Sequence, residues 1–378
     1  MPSDKMIGMP DLAPQTGEVT LHGSVLVLLQ FDVCEAIRLD AVQELIRAHT
    51  VETPQKPKQP APGHVRYQRP PVVERLETLV LESGEWLQGE MKYYDYGVVS
   101  MIFELPFTGG WEQLIALASR WVWDVDFAAQ ATEIVRERLE RVTPVLMKPY
   151  KKWLSEDYLI FHIREINGSS SVMDLLQRHG SRIAQVVRGD TGRLAESECN
   201  EVLQSRISYY ATDLTVIGWN AAFIYDTATG AETAIQLLEY ANSQLLEFRH
   251  YDDLLTKELE RVYTLLDEGT GILARWRLAR SATRLHTVLL DVVELTEHAD
   301  NAIKFLSDMF SARLYKLAAL KVGVPDYKDL VNQKVHTAEE LYRFMVDQFN
   351  QSRAFFLELS VVIILVIELI YLFRGKPL

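Results

Sequence analysis

The stretch AFFLELSVVIILVIELIYLFRGKPL, Ala354 to Leu378, decides what kind of protein this can be. Ala354 to Phe373 is twenty residues. At about 1.5 Å of helix rise per residue it extends roughly 30 Å, the thickness of a hydrocarbon core. Two acids interrupt it, Glu358 and Glu368. On an insertion scale a central acid costs about 2.5–3.5 kcal/mol, while each Leu, Ile, Val or Phe contributes about 0.3–0.6 kcal/mol in favour. Both glutamates lie off-centre, so the balance stays favourable. The sequence therefore predicts a single membrane span over 354–373, with only RGKPL after it. That is a tail anchor with the body on one side.

The two glutamates read differently within such a span. Glu358 lies toward the body, where headgroups are in reach. Glu368 lies roughly 9 Å of helix rise from Arg374, so it must snorkel, take up a proton or find a polar partner. A second copy of the same helix is the simplest partner, because interhelical hydrogen bonds hold helices together in lipid. Glu358, Glu368 and Arg374 are thus expected as membrane and oligomer contacts.

Working outward, the first 17 residues carry no apolar run of signal-peptide length and no Arg-rich amphipathic pattern, and are expected to be disordered. The two cysteines, Cys34 and Cys199, give neither a disulfide framework nor metal spacing. The expected location is a membrane, single-pass, with the N-terminal body cytoplasmic, at the inner membrane in a bacterium. A formal net charge of −13 argues against a general nucleic-acid binder, which needs clustered Lys and Arg.

Residues 18–230 read as an α+β head. EVTLHGSVLVLLQFDV suits a buried strand, and CEAIRLDAVQELIRAH places Ile37, Val42, Leu45 and Ile46 at helical spacing. The segment 51–71 holds six of the 14 prolines and reads as a linker or long loop inside the head. Next come two or three strands with turns near Ser83-Gly84 and Gly89, a helix after Gly110, a second helix, and the strand EDYLIFHIREI. This order matches a ferredoxin-like antiparallel sheet. SRISYYATDLTVIGWNAAFIYD, residues 205–226, reads as a hairpin whose aromatics Tyr209, Tyr210, Trp219 and Tyr225 cover a sheet–helix interface.

From 231 to 322 the spacing changes to 3-4. Of positions 234, 238, 241, 245, 248, 252, 255, 259, 262 and 266 all but Asp252 are apolar, and a second series from 278 to 310, beyond the turn DEGTG, is apolar at all but Thr296. The pattern predicts a long antiparallel helical hairpin. Residues 335–353 form a connecting helix, with Thr337-x-x-Glu340 as a capping box at its start.

LLEYANSQLLEFRHYDDLL (Leu237–Leu255), the hairpin after it and the terminal Glu-x9-Glu run resemble the "required for meiotic nuclear division" family, whose shared region is a YagE-like domain of unknown function. The resemblance spans roughly Gly218 to Phe373. It implies an α+β body with a C-terminal hydrophobic span, in a bacterial member lacking a transit peptide. It implies no catalytic residue.

The chemistry-bearing motifs are sparse. The sequence holds no G-x-x-x-x-G-K-[ST], G-x-S-x-G or H-E-x-x-H. Glu247-x-x-His250 matches half of a di-metal carboxylate motif, but no second Glu-x-x-His accompanies it. A polar face is the plainer reading. Asn242, Gln244, Glu247 and Arg249 are expected to form a buried polar cluster that fixes packing. The reading is a tail-anchored, non-enzymatic scaffold or adaptor without cofactor or metal. Its partners are the lipid bilayer, further copies of itself and a protein not named by the sequence. The alternative is a membrane-tethered hydrolase or metal-dependent enzyme using Glu247 and His250.

Overall fold

Strand β1 (Leu21–Ile37) is the axis of the molecule. Its side chains are buried on both faces, which explains an apolar run where a half-exposed strand would alternate with polar residues. Val25, Val27, Leu29 and Phe31 belong to one core, and Leu26 and Leu28 to a second one on the opposite face. The computed structural model describes residues 19–49, 69–80, 84–167, 171–267, 277, 280–293, 308–373 and 375, with backbone alone at 47–49, 348–357 and 359. The expected disordered N-terminus, almost all of the Pro-rich segment and Arg374 lie outside the described residues.

Around β1 the sheet is built from β2 (Val72–Arg75), β3 (Leu79–Val80), β4 (Trp86–Tyr93), β5 (Val98–Gly109), β6 (Leu146–Ile166), β7 (Arg206–Ile207), β8 (Leu214–Ile217) and β9 (Ala221–Tyr225). The strand order is β2-β4-β5-β1-β6-β9-β8-β7, with β3 beside β4. β1 runs antiparallel to β5 and β6, but β6 and β9 are parallel. The sheet is therefore mixed, where an antiparallel one was expected. A parallel pair needs a crossover. Helices α4 (Val172–Arg188) and α5 (Glu196–Gln204) lie in that connection.

Helices α1 (Leu39–His49), α2 (Trp111–Trp123) and α3 (Phe127–Val142) share the first face with α4. Local signals fix their ends. Asp126 accepts from Ala129 N at the start of α3, and Ser171 from Asp174 N at the start of α4. Gly189 closes α4 in the left-handed conformation. The second face is covered by α6 (Ala228–Asp267), α7 (280–293), α8 (Met309–Val322) and α9 (Val324–Phe373). The result is an α+β protein with helices on both faces of its sheet.

Of the two turns expected here, one falls partly outside the described residues and the other needs revision. Ser83 lies outside the described residues, while Gly84 has φ +92°. Gly89 is not a turn but the middle of β4, where a Cβ would lie 2.6 Å from the Phe103 ring. The turn between β4 and β5 uses Gly97 instead, at φ +92°. A Cβ there would collide with the Cys34 carbonyl oxygen.

The helical region also departs from a two-armed hairpin. Ala234, Leu238, Ala241, Leu245, Phe248, Leu255, Leu259 and Val262 of α6 are buried as the 3-4 spacing requires. They are covered by α8 and α9 as well as α7. Part of the second arm, 294–307, lies outside the described residues. Thr337 does not start a helix. Its hydroxyl donates to Gln333 O, a bond of mid-helix type, because α9 already begins after Gly323 with Pro325 in its first turn.

The expected membrane span is not supported, and with it fall the tail anchor and the single-pass membrane location. Among the described residues no helix is long and apolar enough to cross a membrane. The described residues of the predicted span continue α9, whose earlier turns pack on α6 through Val331, Ala338 and Met345.

Candidate functional site

A row of polar residues on α6 faces the sheet, and five contacts tie the helix to three strands and the β4–β5 turn. Gln30 of β1 donates through Nε2 to Glu239 O at 2.9 Å, and Lys92 of β4 reaches Glu239 Oε2 at 2.7 Å. Tyr96 Oη lies 3.0 Å from Ser243 Oγ. Asp32 Oδ2 of β1 lies 2.7 Å from His250 Nδ1. Arg249 pairs with Glu156 of β6. Polar groups buried beside an apolar sheet cost free energy unless they find partners. The partners here come from strands remote in sequence, so this seam sets the position of α6 along β1.

At its centre lie Asp32, Glu247 and His250. Asp32 is 2% exposed and Glu247 7%. Glu247 and His250 are three residues apart on α6, which directs both toward β1. Burial, followed by the charge of Asp32, holds the Glu247 carboxyl well above the usual carboxylate range. Burial also raises Asp32, opposed by its contact with His250. Glu247 Oε1 has no hydrogen-bond partner among the described residues. Tyr150 of β6 stacks on His250 with ring centroids 4.5 Å apart and closes the cluster on one side. Cys34 lies near it, its thiol pushed up to about 12, first by burial and then by Asp32. A thiol held so high supplies no thiolate nucleophile at neutral pH.

Four of the expected site residues belong to this seam in different ways. Asn242 is buried and donates to Leu238 O of its own helix at 2.8 Å. Gln244 bonds Tyr240 Oη and accepts from Tyr315 of α8, so it joins helix to helix rather than helix to sheet. Glu247 faces Asp32, and Arg249 meets Glu156. Glu247 and His250, the weak metal-ligand candidates, both lie beside Asp32, and His250 Nδ1 contacts its carboxylate. Among the described residues no group of three or more His, Cys, Asp or Glu is arranged to hold a metal ion. Glu358 and Glu368 are exposed. Tyr209, Tyr210 and Trp219 are also exposed, though Tyr209 packs edge-on against Phe310 of α8.

Residues 22–232 match the family described as "Uncharacterized protein MJ0711, N-terminal domain", over more than half of the chain. The chain belongs to the MJ0711 N-terminal domain family. A relative from Methanocaldococcus jannaschii, titled "Uncharacterized protein MJ0711", is 20% identical over 238 residues, which is 63% of this chain and 72% of that protein. No solved structure matches. The resemblance to the meiotic nuclear division family rests on residues 218–373, and the MJ0711 domain reaches only to 232. Neither match carries a link to that family or to a YagE-like domain.

The MJ0711 domain boundary gives the seam a further meaning. Gln30, Asp32, Lys92, Tyr96 and Glu156 lie inside 22–232, whereas Glu239, Ser243, Arg249 and His250 lie beyond it. Every sheet contact of the seam therefore joins the MJ0711 domain to the chain that follows it. Sequence reasoning missed the strand-side partners. Asp32 carried one signal, an acid inside an otherwise apolar strand, but nothing near it names His250.

Proposed function

We propose that the protein is a non-enzymatic scaffold or adaptor that associates with further copies of itself through the end of α9. The observation that carries this reading is the surface of Val361–Phe373. Val361, Val362, Ile363, Ile364, Leu365, Val366 and Ile367 are each 46–57% exposed, and Leu372 and Phe373 about 80%. A helix that is apolar all round needs cover on every side. Several copies of the same helix, bundled, supply that cover. The seam supports the reading from the other end, because it fixes α6 on the sheet. Lys334 of α9 then grips α6 through Asp252 Oδ1 at 2.5 Å and Thr256 Oγ1 at 2.6 Å. The terminal helix is thereby joined to the head through α6.

The non-catalytic part of the proposal rests on His250. Its Nδ1 faces Asp32 and its ring is covered by Tyr150, and it makes no hydrogen bond to a Ser, Thr or Cys side chain among the described residues. Light scattering on the full chain tests the proposal. The wild type is expected to form oligomers at micromolar concentration, and the double variant Ile363→Lys/Ile367→Lys to remain monomeric. A monomeric wild type, or an oligomer that survives both lysines, overturns it.

A further inference from the structure

A second feature lies beside Tyr150, on a protein whose formal net charge is −13. The segment MKPYKKW, Met147 to Trp153, holds three lysines. Here β6 leaves the register of β1. Leu154 pairs with Asp32 and Pro149 with Cys34, so Tyr150, Lys151, Lys152 and Trp153 all stand opposite Val33. Lys148, just before this bulge, has φ +47°, a left-handed backbone that a lysine rarely adopts. Bulges re-aim side chains, and strained backbone gathers at binding sites.

The bulge opens a cleft of about 280 Å³. Arg136 of α3 and Lys151, Lys152, Tyr150, Trp153 and Ser155 of β6 line it, together with Phe31 and Thr132. No acidic side chain is among these lining residues. Arg136 shares its charge with Glu133 one helical turn away. Lys151 and Lys152 are exposed and make no ion pair among the described residues. Two free ammonium groups and a guanidinium around one concave surface attract a doubly charged anion, and a guanidinium matches phosphate geometry. The aromatic walls suit a planar ring, since stacking accepts any aromatic face. The volume lies just below the usual range of about 300–1,000 Å³ for small-molecule sites, which fits a single small ligand rather than a large cofactor.

We propose that this cleft binds a small ligand carrying a phosphate group and a planar ring, the chemical class of a mononucleotide. Lys151, Lys152 and Arg136 hold the phosphate, Trp153 and Tyr150 flank the ring, and Ser155 offers a hydroxyl. This site is separate from the terminal association of α9, and neither reading depends on the other.

Calorimetric titration of the full chain with AMP, GMP, CMP and UMP tests it, with adenosine, inorganic phosphate and a short oligouridylate as controls. Saturable binding of at least one mononucleotide is expected. Adenosine and inorganic phosphate each bind about tenfold more weakly or worse, since each lacks half of the contacts. The variant Lys151→Ala/Lys152→Ala is expected to weaken mononucleotide binding about tenfold while leaving the melting temperature in place, as both side chains are exposed. The proposal is overturned if none of the four mononucleotides saturates at millimolar concentration, or if the double variant binds as well as wild type. Oligouridylate binding that tightens with strand length also overturns it, in favour of a nucleic-acid strand as ligand.

Discussion

Asp32 and His250 meet at 2.7 Å between the middle of β1 and the middle of α6, which makes the first described strand of the chain specific for a helix more than two hundred residues later. Apolar packing alone would let α6 slide along β1 at little cost, because Leu26 and Leu28 present similar surfaces. A directional contact between buried polar groups removes that freedom.

His250→Ala is expected to destabilise the protein by about 2–4 kcal/mol, because it leaves a buried aspartate uncompensated. Asp32→Asn combined with His250→Ala is expected to cost less than the sum of the two. Urea unfolding of the four proteins gives the coupling, expected at about 1–2 kcal/mol. A coupling of zero would mean that the two side chains are neighbours without interaction.

Glu247 makes the stability of the fold depend on pH. Its folded-state proton affinity exceeds the unfolded one because burial, then Asp32, disfavours the charged form. His250, Asp32, Cys34, Tyr150 and Tyr251 face it, and the last three have their own acids shifted upward in part by its charge. A raised carboxyl contributes stability that is complete below the ordinary value of 4.5 and is lost as pH climbs through the folded value. Glu247→Gln stays neutral throughout. Its advantage over wild type should be small near pH 4.5 and grow toward pH 9 in unfolding experiments. A difference that stays constant with pH would refute this.

Gly97 and Gly84 share φ +92°, but their surroundings differ. A Cβ at Gly97 would sit 1.8 Å from Cys34 O, while nothing lies within 4 Å of one at Gly84. Gly84→Ala is expected to cost about 1–2 kcal/mol, the backbone penalty alone. Gly97→Ala adds a collision between backbones and should cost clearly more, about 3 kcal/mol or above. Equal melting temperatures for the two variants would place the β4–β5 turn elsewhere.

Leu289 and Leu290 are chain neighbours on α7, 7% and 57% exposed. Leu289→Asp places a charge in the helical core and should cost about 3 kcal/mol or more, whereas Leu290→Asp should stay within about 0.5 kcal/mol. Chemical unfolding followed by circular dichroism separates them. The reverse ranking would rotate α7 by a third of a turn.

Periodic features were legible in the sequence, and pairings were not. The 3-4 spacing of α6 marks Leu238, Leu245 and Leu255 as buried because a helix buries one face whatever covers it. What covers it was hidden, since α9 supplies part of the cover from some eighty residues away. The β1 strand was visible as an apolar run, but its register against β6 depends on a bulge that no periodicity announces. Gly89 read as a turn because a glycine under a phenylalanine ring and a glycine in a bend look alike in one dimension. Thr337-x-x-Glu340 matched a capping box, yet the stronger signal stood upstream, a left-handed Gly323 followed by Pro325. The lysines of MKPYKKW were a readable signal, overlooked because the overall charge is acidic. The terminal apolar run was read as crossing a bilayer on its composition. The described helix there is an exposed extension of α9.

The two-sided burial of β1 also has a cost in time. A nascent chain emerges N-terminus first, so Leu21–Ile37 leaves the ribosome with neither neighbouring strand available. At about 5–20 residues per second, β5 follows roughly 4–14 s later, and the end of β6 roughly 6–26 s later. Until β5 emerges this long apolar strand has two open edges, and until β6 follows it still has one; open edges are templates for pairing with another chain. The strand that organises the finished protein is thus the one most exposed to misassembly while the protein is being made, and any chaperone that attends this chain would be expected to engage it there.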